Sequence, residues 1–529
     1  NDTISDGTLI ENKLVSISKL PDTETENVIS DENVLLDILH PDNLRKVEQK
    51  TYIKTLLFDM LIGDWNKVSE NWYWIRSIKG DSIVYYPHVF DRSHAFSKVD
   101  GVLFKELLNM LGVGFISNYD KQLKNVKKIN SLAYALDIAV TQQSNESAWV
   151  AEARNIKREL TDKEIDLAFA ELPEEMQNDE TKILKENLKS RRNDLENIAR
   201  KYYTYMQKTP VITGTERDDR FVIEQDKKKN LRIRIYNRQT NKQTFDKTYN
   251  RKHTKEIWIY SLAGNDIFEV DKKRRSIPLL LIGGKGRNEY KISNGKNVFV
   301  YEAKSQKERL KSLSTAKVVI PNDETALDYD YQQLRHTKFA ITPIGIYDSD
   351  LGLNIGTSFS YTIYGFRRAP YTRRHQISYD YSNGFTYQGI FPSYDDKKSL
   401  HVVAFIGSPA YFSNFFGFGN NTEGHKDEGR KFNRVNIHKY LFTPSLYYNI
   451  TKDQTFNIYS SFESYKVKNP SDRDRYINQV YDDDNSIFSR KYYVDLGATY
   501  EFNKKMNHFV SSLKFLLTTG WNVNVTDPK

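Results

Sequence analysis

The residues best suited to chemistry lie in IGDWNKVSENWYW and, further on, in VFDRSHAF, which set Asp64 and Asp91 beside polar turns. Phosphotransfer of the kinase type needs one carboxylate near the acceptor hydroxyl and a second holding magnesium on the phosphates, and Asp64 with Asp91 could supply that pair. Two positions after Asp64 stands Asn66, whose amide cannot take up a proton as a carboxylate does. No Gly-rich phosphate loop with a lysine-bearing strand precedes the segment. Asp64, Asn66 and Asp91 therefore read as a phosphotransferase remnant that is structural, and no catalytic residue is assigned.

Metal chemistry has thinner support. Asn265 with Asp266, and later Asn288, sit in Gly-rich turns (AGNDIFEV and GGKGRNEYKI) like those of calcium-binding repeats. Calcium asks for about six to eight oxygens. With so few carboxylates these turns are expected to shape a β-roll, and Asn265, Asp266 and Asn288 stay as calcium candidates only by position. GDWN matches a fragment of a metallophosphatase, but the ten histidines form no HxH or GNH motif, so phosphatase chemistry is not expected. No cofactor is predicted.

One further stretch stands out, GSPAYFSNFFGFGNNTEG from Gly407 to Gly424. It is either a mobile surface loop or the loop and girdle element of a membrane barrel. In the second case Phe415, Phe416 and Phe418 meet the membrane interface while Gly417, Gly419 and Asn420 shape the turns.

The elements that must position these residues fall into three regions. Residues 1–210 are mainly helical. TYIKTLLFDMLIGDW spaces Ile53, Leu56, Leu57, Met60 and Leu61 on one helical face and stops at Gly63, and Trp72 and Trp74 then begin a strand. Thr161 and Glu164 form a capping box before a helix whose apolar face is Ile165, Ala168, Phe169 and Leu172. A longer helix is predicted over 181–206, with a stripe running from Ile183 and Leu184 to Tyr203, while Lys189, Arg191, Arg192 and Arg200 read as its solvated face. Residues 211–334 are a small β-rich domain. LRIRIY alternates, KEIWIYSL and PLLLIGG are evenly apolar and so more buried, and the two Gly-rich turns suggest stacked repeats.

Residues 335–529 carry long alternating strands. In DLGLNIGTSFSYTI, Leu351, Leu353, Ile355, Thr357, Phe359, Tyr361 and Ile363 share one face, and in YYVDLGATYE so do Tyr492, Val494, Leu496, Ala498 and Tyr500. A membrane barrel strand needs about 9–11 residues to cross, apolar toward lipid and polar toward the lumen. About eight such strands are counted, with a tight hairpin at Asn383-Gly384 and a reversal over Thr451–Gln454. The fold class is thus mixed: a periplasmic α+β region, with a degenerate kinase-like helical part and a β-roll-like part, followed by antiparallel transmembrane β-barrel strands.

Composition agrees with that division. The 529 residues include 35 Tyr and 13% aromatics, while a mean hydropathy of -0.66 hides apolar residues that alternate with polar ones. The chain has no cysteine, which removes disulfides, thiolate catalysis and cysteine zinc sites. The net charge of +9 is dispersed rather than clustered, so no nucleic-acid partner is expected.

FFGFGNNT with its flanking strands resembles the bacterial surface-antigen barrels of the Bam/Tam-type outer-membrane insertase superfamily. More specifically LLFDMLIGDW, FDRSHAFSKVDG, LTDKEIDLAFAELP, LKSRRNDLENIARKYY, KEIWIYSLAGNDIFEV and LLIGGKGRNEY, in that order, are similar to the tail of large outer-membrane proteins often described as metallophosphoesterases. The resemblance covers residues 54–424. It implies a periplasmic region, a sixteen-stranded barrel and, in many relatives, an upstream phosphatase domain.

The sequence departs from the family in three ways. The phosphatase motifs are absent. A GDxDRH-type segment is changed at Asn66, Lys67 and Val68. About eight strands take the place of sixteen, with no VRGF-like lumen loop and the ending TDPK, so the chain is expected to be part of a longer protein. The expected function is that of a non-enzymatic outer-membrane barrel protein in a gram-negative bacterium, its N-terminal part in the periplasm. It would act in outer-membrane protein assembly or export, or as an envelope scaffold, with outer-membrane lipid and other envelope proteins or assembly factors as partners. The alternative is a magnesium-dependent phosphotransferase, or part of a phosphoesterase, on a barrel anchor.

Overall fold

The computed structural model describes residues 28–523 apart from 30, 40–44, 68–71, 90, 99–115, 117, 274–275, 308–309, 311–312, 314, 322–323, 334–336, 349–351, 367–370, 394–396, 418, 420–421, 423, 430, 452, 472–473 and 506–509. The chain divides into two compact units. One holds the described residues up to Tyr301 together with 310–318, and the other holds 302–307 and those from Val319 onward.

The first unit opens with β1 (Val28–Ile29), α1 (Asp31–Ile38), β2 (Arg45–Val47), α2 (Gln49–Ile62), β3 (Trp72–Lys79) and β4 (Ser82–Val89), whose strands form one sheet in the order β1-β3-β4-β2. The α2 helix is the centre of this part. Its predicted face is fully buried, the Glu48 carboxylate caps its start by accepting the Thr51 N–H at 2.6 Å, and Gly63 ends it in the left-handed conformation. Tyr52 stacks on Trp74 with ring centroids 5.5 Å apart, which joins the helix to the sheet.

The helical layer continues with α3 (Val126–Ile129), α4 (Tyr134–Thr141), α5 (Glu146–Glu159), α6 (Asp162–Ala170), α7 (Asp179–Asn193) and α8 (Leu195–Met206). Thr161 caps α6 as predicted, but Glu164 turns its carboxylate to the Thr161 hydroxyl instead of the backbone, and of the predicted apolar face only Ile165 is buried. The single helix expected over 181–206 is two, because Asp194 leaves helical geometry between α7 and α8, and Ile183 is exposed rather than part of the stripe. The larger correction concerns the basic face. Lys189 and Arg200 reach solvent and pair with carboxylates, whereas Arg191 and Arg192 are buried. Arg191 donates to the Asp120 carbonyl at 2.6 Å and lies 4.0 Å from the centre of the Tyr119 ring, and Arg192 donates to the Leu160 carbonyl at 2.9 Å and pairs with Asp162. A guanidinium can be buried here because its forked donors find the carbonyls of Met60, Asp120 and Leu160.

The β-rich part is a parallel stack of coils. Its strands are β5 (Val211–Thr213), β6 (Asp219–Gln225), β7 (Leu231–Asn237), β8 (Gln243–Tyr249), β9 (Ile257–Tyr260), β10 (Ile267–Val270), β11 (Leu279–Ile282), β12 (Glu289–Ile292), β13 (Val298–Tyr301) and β14 (Lys317–Val319). One sheet runs β14-β13-β11-β9-β5, and the other runs β12-β10-β6 with the antiparallel hairpin β7–β8 continuing it. β9 and β11, the evenly apolar strands, are buried along their whole length, and Leu231, Ile233 and Ile235 of β7 are buried between exposed or half-buried neighbours. Phe221, Phe268 and Tyr290 stack from coil to coil at 4.5 and 5.1 Å. Gly286 shows how closely the turns stack: a Cβ there would stand 1.8 Å from the Gly264 carbonyl oxygen, and its φ is +127°.

The second unit is an antiparallel sheet of β15 (Lys338–Asp348), β16 (Gly352–Ile363), β17 (Arg373–Asp380), β18 (Gly384–Pro392), β19 (Lys398–Gly407), β20 (Phe412–Asn414), β21 (Arg434–Asn449), β22 (Gln454–Val467), β23 (Lys491–Lys505) and β24 (Val510–Asn522). All but β20 lie in chain order, and β20 pairs with β21. The Asn383-Gly384 hairpin is wider than expected: Gly384 pairs with Asp380 across the loop 381–383, whose Asn383 N–H is taken by the Asp380 carboxylate at 2.7 Å. The reversal over Thr451–Gln454 is present. Among the described residues β15 and β24 are the two edges and no ladder joins them, so the sheet is open where the sequence pattern predicts a barrel wall.

Alternation divides this sheet into two chemically distinct faces. Cross-strand registers put Phe359, Ile377, Tyr387, Ala404, Phe442, Phe462, Val494 and Trp521 in one continuous row, with similar rows on either side. Many of the large apolar residues on this face are exposed, among them Leu353, Ile355, Phe385, Leu446, Leu496 and Leu517. The opposite face is polar. There Ser358 meets Gln376, Thr443 meets Ser461 at 2.9 Å, Lys439 meets Glu463 at 2.6 Å, and Lys514 meets Glu501 at 2.7 Å.

Candidate functional site

The loop after α2 leads into a buried polar cluster around Asp59. Asp59, on the last turn of α2, is fully buried between Arg92, whose Nε is 2.8 Å away, and Lys67, whose Nζ is 3.6 Å away. Deeper still, Asp137 on α4 accepts the Tyr52 hydroxyl at 2.7 Å and also the Tyr202 hydroxyl from α8. Burial pushes the Asp137 carboxyl up to about 6, and the two tyrosine hydroxyls hold it lower than burial alone would.

Of the predicted remnant, Asp64 is buried and its Oδ1 accepts the Asn66 N–H at 3.2 Å. Burial raises its pKa, while Lys67 opposes that and Asp59 adds to it. Asp91 accepts the Ser93 N–H at 2.8 Å, and that bond lowers its pKa. No hydrogen bond or ion pair links Asp64 to Asp91. The Trp65 and His94 rings meet edge to face at 4.4 Å, and Trp65 donates to Ser97. Lys67 is spent on Asp59. The arrangement ties a loop to a helix, and among the described residues no three His, Asp or Glu side chains converge on a metal position.

The calcium candidates are used differently. The Asp266 carboxylate accepts the Asp219 N–H at 2.8 Å, the Asn288 side chain accepts the Asp266 N–H at 3.0 Å, and the Asn265 side chain accepts the Arg287 N–H at 3.0 Å. Each side chain thus satisfies the backbone of the neighbouring coil, so these oxygens are engaged in stacking. Burial pushes Asp266 up to about 8 and Asp219 up to about 6.

In the aromatic loop Phe415 is partly buried. Its ring packs against a small core of Val435, Ile477 and Phe488, joined by Tyr476 and Tyr481 from the later loop, where α9 (Tyr476–Val480) lies. Its N–H donates to the Asn433 carbonyl at 2.7 Å. Phe416 is exposed, Gly417 and Gly419 hold positive φ, and Phe418 and Asn420 lie outside the described residues.

Reading the sequence missed Asp59 and Asp137, which lie in apolar stretches of helix, and Lys247. The Lys247 ammonium is buried over the Tyr203 and Tyr249 rings and donates to the Gln142 carbonyl at 3.0 Å, and burial pulls its pKa down to about 7. A charged residue inside a helix's apolar run (Asp59 in LLFDMLI, Asp137 in YALDIAV) was the available signal. Comparison of the chain with protein-family models, curated proteins and solved structures finds no match in any of the three.

Proposed function

We propose that the chain is an outer-membrane β-barrel protein of the surface-antigen type, non-enzymatic, whose strands form a membrane wall and whose first unit is a periplasmic body serving envelope-protein assembly or anchorage. One observation carries this reading: the apolar face that continues across the strands from β15 to β24, with aromatic rings toward its two ends. On β21 the sequence of that face is Tyr440, Phe442, Pro444, Leu446, Tyr448, and on β23 it is Tyr492, Val494, Leu496, Ala498, Tyr500. Eight residues from ring to ring span ~27 Å along a strand, or ~20 Å once the strand tilts as barrel strands do, close to the lipid-facing band of such barrels. A face this apolar would aggregate in water.

The edges β15 and β24 favour an assembly role. In a bilayer their unpaired backbone groups must be covered, by further wall strands or by an incoming strand that adds to the edge. The test is solubility: the purified chain is expected to be monodisperse only in detergent or lipid, and a stable monomer in plain buffer would overturn the membrane reading. Loss of envelope proteins from the outer membrane on depletion is expected for the assembly role, and an unchanged outer-membrane proteome leaves a scaffold instead.

Phosphotransfer at Asp64 and Asp91 is the second reading, favoured by the contact of their neighbours Trp65 and His94, whose rings meet at 4.4 Å and bring the two segments together. It requires magnesium-dependent ATP binding that Asp91→Ala abolishes. Calorimetry is expected to detect no such binding.

A further inference from the structure

At the end of the sheet opposite the one where the chain enters at Lys338, the two long loops 408–433 and 468–490 are folded on each other through the Phe415 core. Beside them a cavity of about 590 Å³ is lined by His438, Lys466, Lys468 and Arg490, with Asp483 and Asp484 on its loop side. His438 and Lys466 are paired across β21 and β22, and both belong to the apolar face by alternation, two residues beyond Tyr440 and Ser464. Arg490 precedes β23 by one residue. Its guanidinium lies 5.3 Å from the Tyr440 ring centre and donates to the Ser464 hydroxyl at 3.0 Å. The cations therefore sit just past the ring-bearing end of the apolar face, above it on the same three strands.

Further along those strands the face is hollowed. Pro444, Ser460 and Ala498 are short side chains where neighbours are large, and Ile458, Leu496 and Leu517 wall a depression of about 540 Å³. Four to six residues separate Tyr440 from this hollow, ~14–20 Å at the rise of a strand.

A cationic cavity at one level and an apolar hollow below it, in line on one surface, match the two halves of a single molecule. We propose that β21–β23 carry a site for a phosphorylated membrane lipid, with its phosphate held by Lys466, Lys468 and Arg490 and an acyl chain lying in the hollow. This inference rests on the membrane reading above. Three permanent cations against the carboxylates of Asp483 and Asp484 leave the cavity net positive, and a phosphate ester complements that charge as a zwitterionic headgroup does not.

The test is native mass spectrometry of the full chain in a neutral detergent, with phosphatidic acid or phosphatidylcholine of the same acyl chains added. Retention of phosphatidic acid is expected to exceed that of phosphatidylcholine on the order of thirtyfold, as two lysines near an anionic headgroup supply. The double variant Lys466→Gln/Lys468→Gln should lose the preference at unchanged thermal stability in lipid-free detergent. Asp483→Asn/Asp484→Asn should strengthen it, which guards against a variant that merely misfolds. Equal retention of the two lipids, or a preference that survives in the lysine variant, overturns the site while leaving the membrane reading intact. Inorganic phosphate bound as tightly as phosphatidic acid also overturns it, since the hollow would then contribute nothing. A protein that retains neither lipid and is monodisperse without detergent overturns both readings.

Discussion

The Tyr52 hydroxyl donates to the Asp137 carboxylate at 2.7 Å, a bond between residues 85 positions apart that fastens α2 to α4 inside the first unit. It is one of several buried polar contacts that give this unit a dependence on pH.

Asp137 and Asp219 are raised to about 6 and Asp266 to about 8, all from an ordinary 3.8. With folded values above unfolded ones, the native state holds protons that the unfolded chain has released. The stabilisation is complete below the unfolded value and is lost as pH rises through about 6 for the first two and about 8 for the third. Stability of the first unit should therefore fall between those limits. Asp266→Asn keeps an oxygen for the Asp219 N–H and should flatten the upper part of the fall, adding ~2–4 kcal/mol at alkaline pH. Denaturant titrations at acid and alkaline pH measure this, and an unaltered pH slope in the variant contradicts it.

Arg191 should behave as a core residue. Arg191→Ala leaves the Asp120 carbonyl without its donor and removes the stack on Tyr119, at a cost of ~2–4 kcal/mol. Arg200→Ala, whose partner Glu146 is exposed, should cost ~0–1 kcal/mol. Equal losses for the two in urea unfolding would disprove the distinction.

In the coil stack, Gly286→Ala forces a methyl onto the Gly264 carbonyl and should unfold the turn, with a loss of ~3 kcal/mol or more. Gly80→Ala, also at positive φ but facing open space, serves as the control and should cost ~1 kcal/mol. Differential scanning calorimetry compares the two melting points.

On the second unit, Leu496→Arg places a charge in the middle of the apolar face and should weaken membrane integration by ~2–4 kcal/mol. Thr518→Arg, exposed on the polar face, should leave it within ~1 kcal/mol. Yield of folded protein in lipid vesicles is the readout, and equal yields would remove the assignment of that face to lipid.

What the sequence disclosed was what local chemistry decides. The α2 stop at Gly63, the burial of β9 and β11 and the two faces of β16 and β23 all follow from spacing within a dozen residues. What it concealed depends on distant partners. Whether the cationic side of α7 meets water is settled by Tyr119 and Asp120, about seventy positions earlier, and the place of Phe415 by Tyr476 and Ile477 in another loop. The second and third coils were legible because their turns recur 22 residues apart. The first was not, because the β7–β8 hairpin stretches the same interval to 47. Around the Asp64 loop the same holds: Lys67 and Arg92 read as free cations from spacing alone, and both are turned onto Asp59.

That 22-residue interval sets how the stacked region can change length. Asn265 meets Arg287, and Asp266 meets Asn288, at the same interval. Excising one whole interval would splice the chain in phase, bringing the Arg287 and Asn288 turn against Asp218 and Asp219. Removing part of an interval would shift the residue that stands against Gly264, where only a glycine fits, and leave the backbone donors of one turn facing the wrong side chains. Length within these two coils changes by whole intervals, and the β7–β8 hairpin shows the one other way to lengthen a coil, an excursion that leaves the stack and returns in phase.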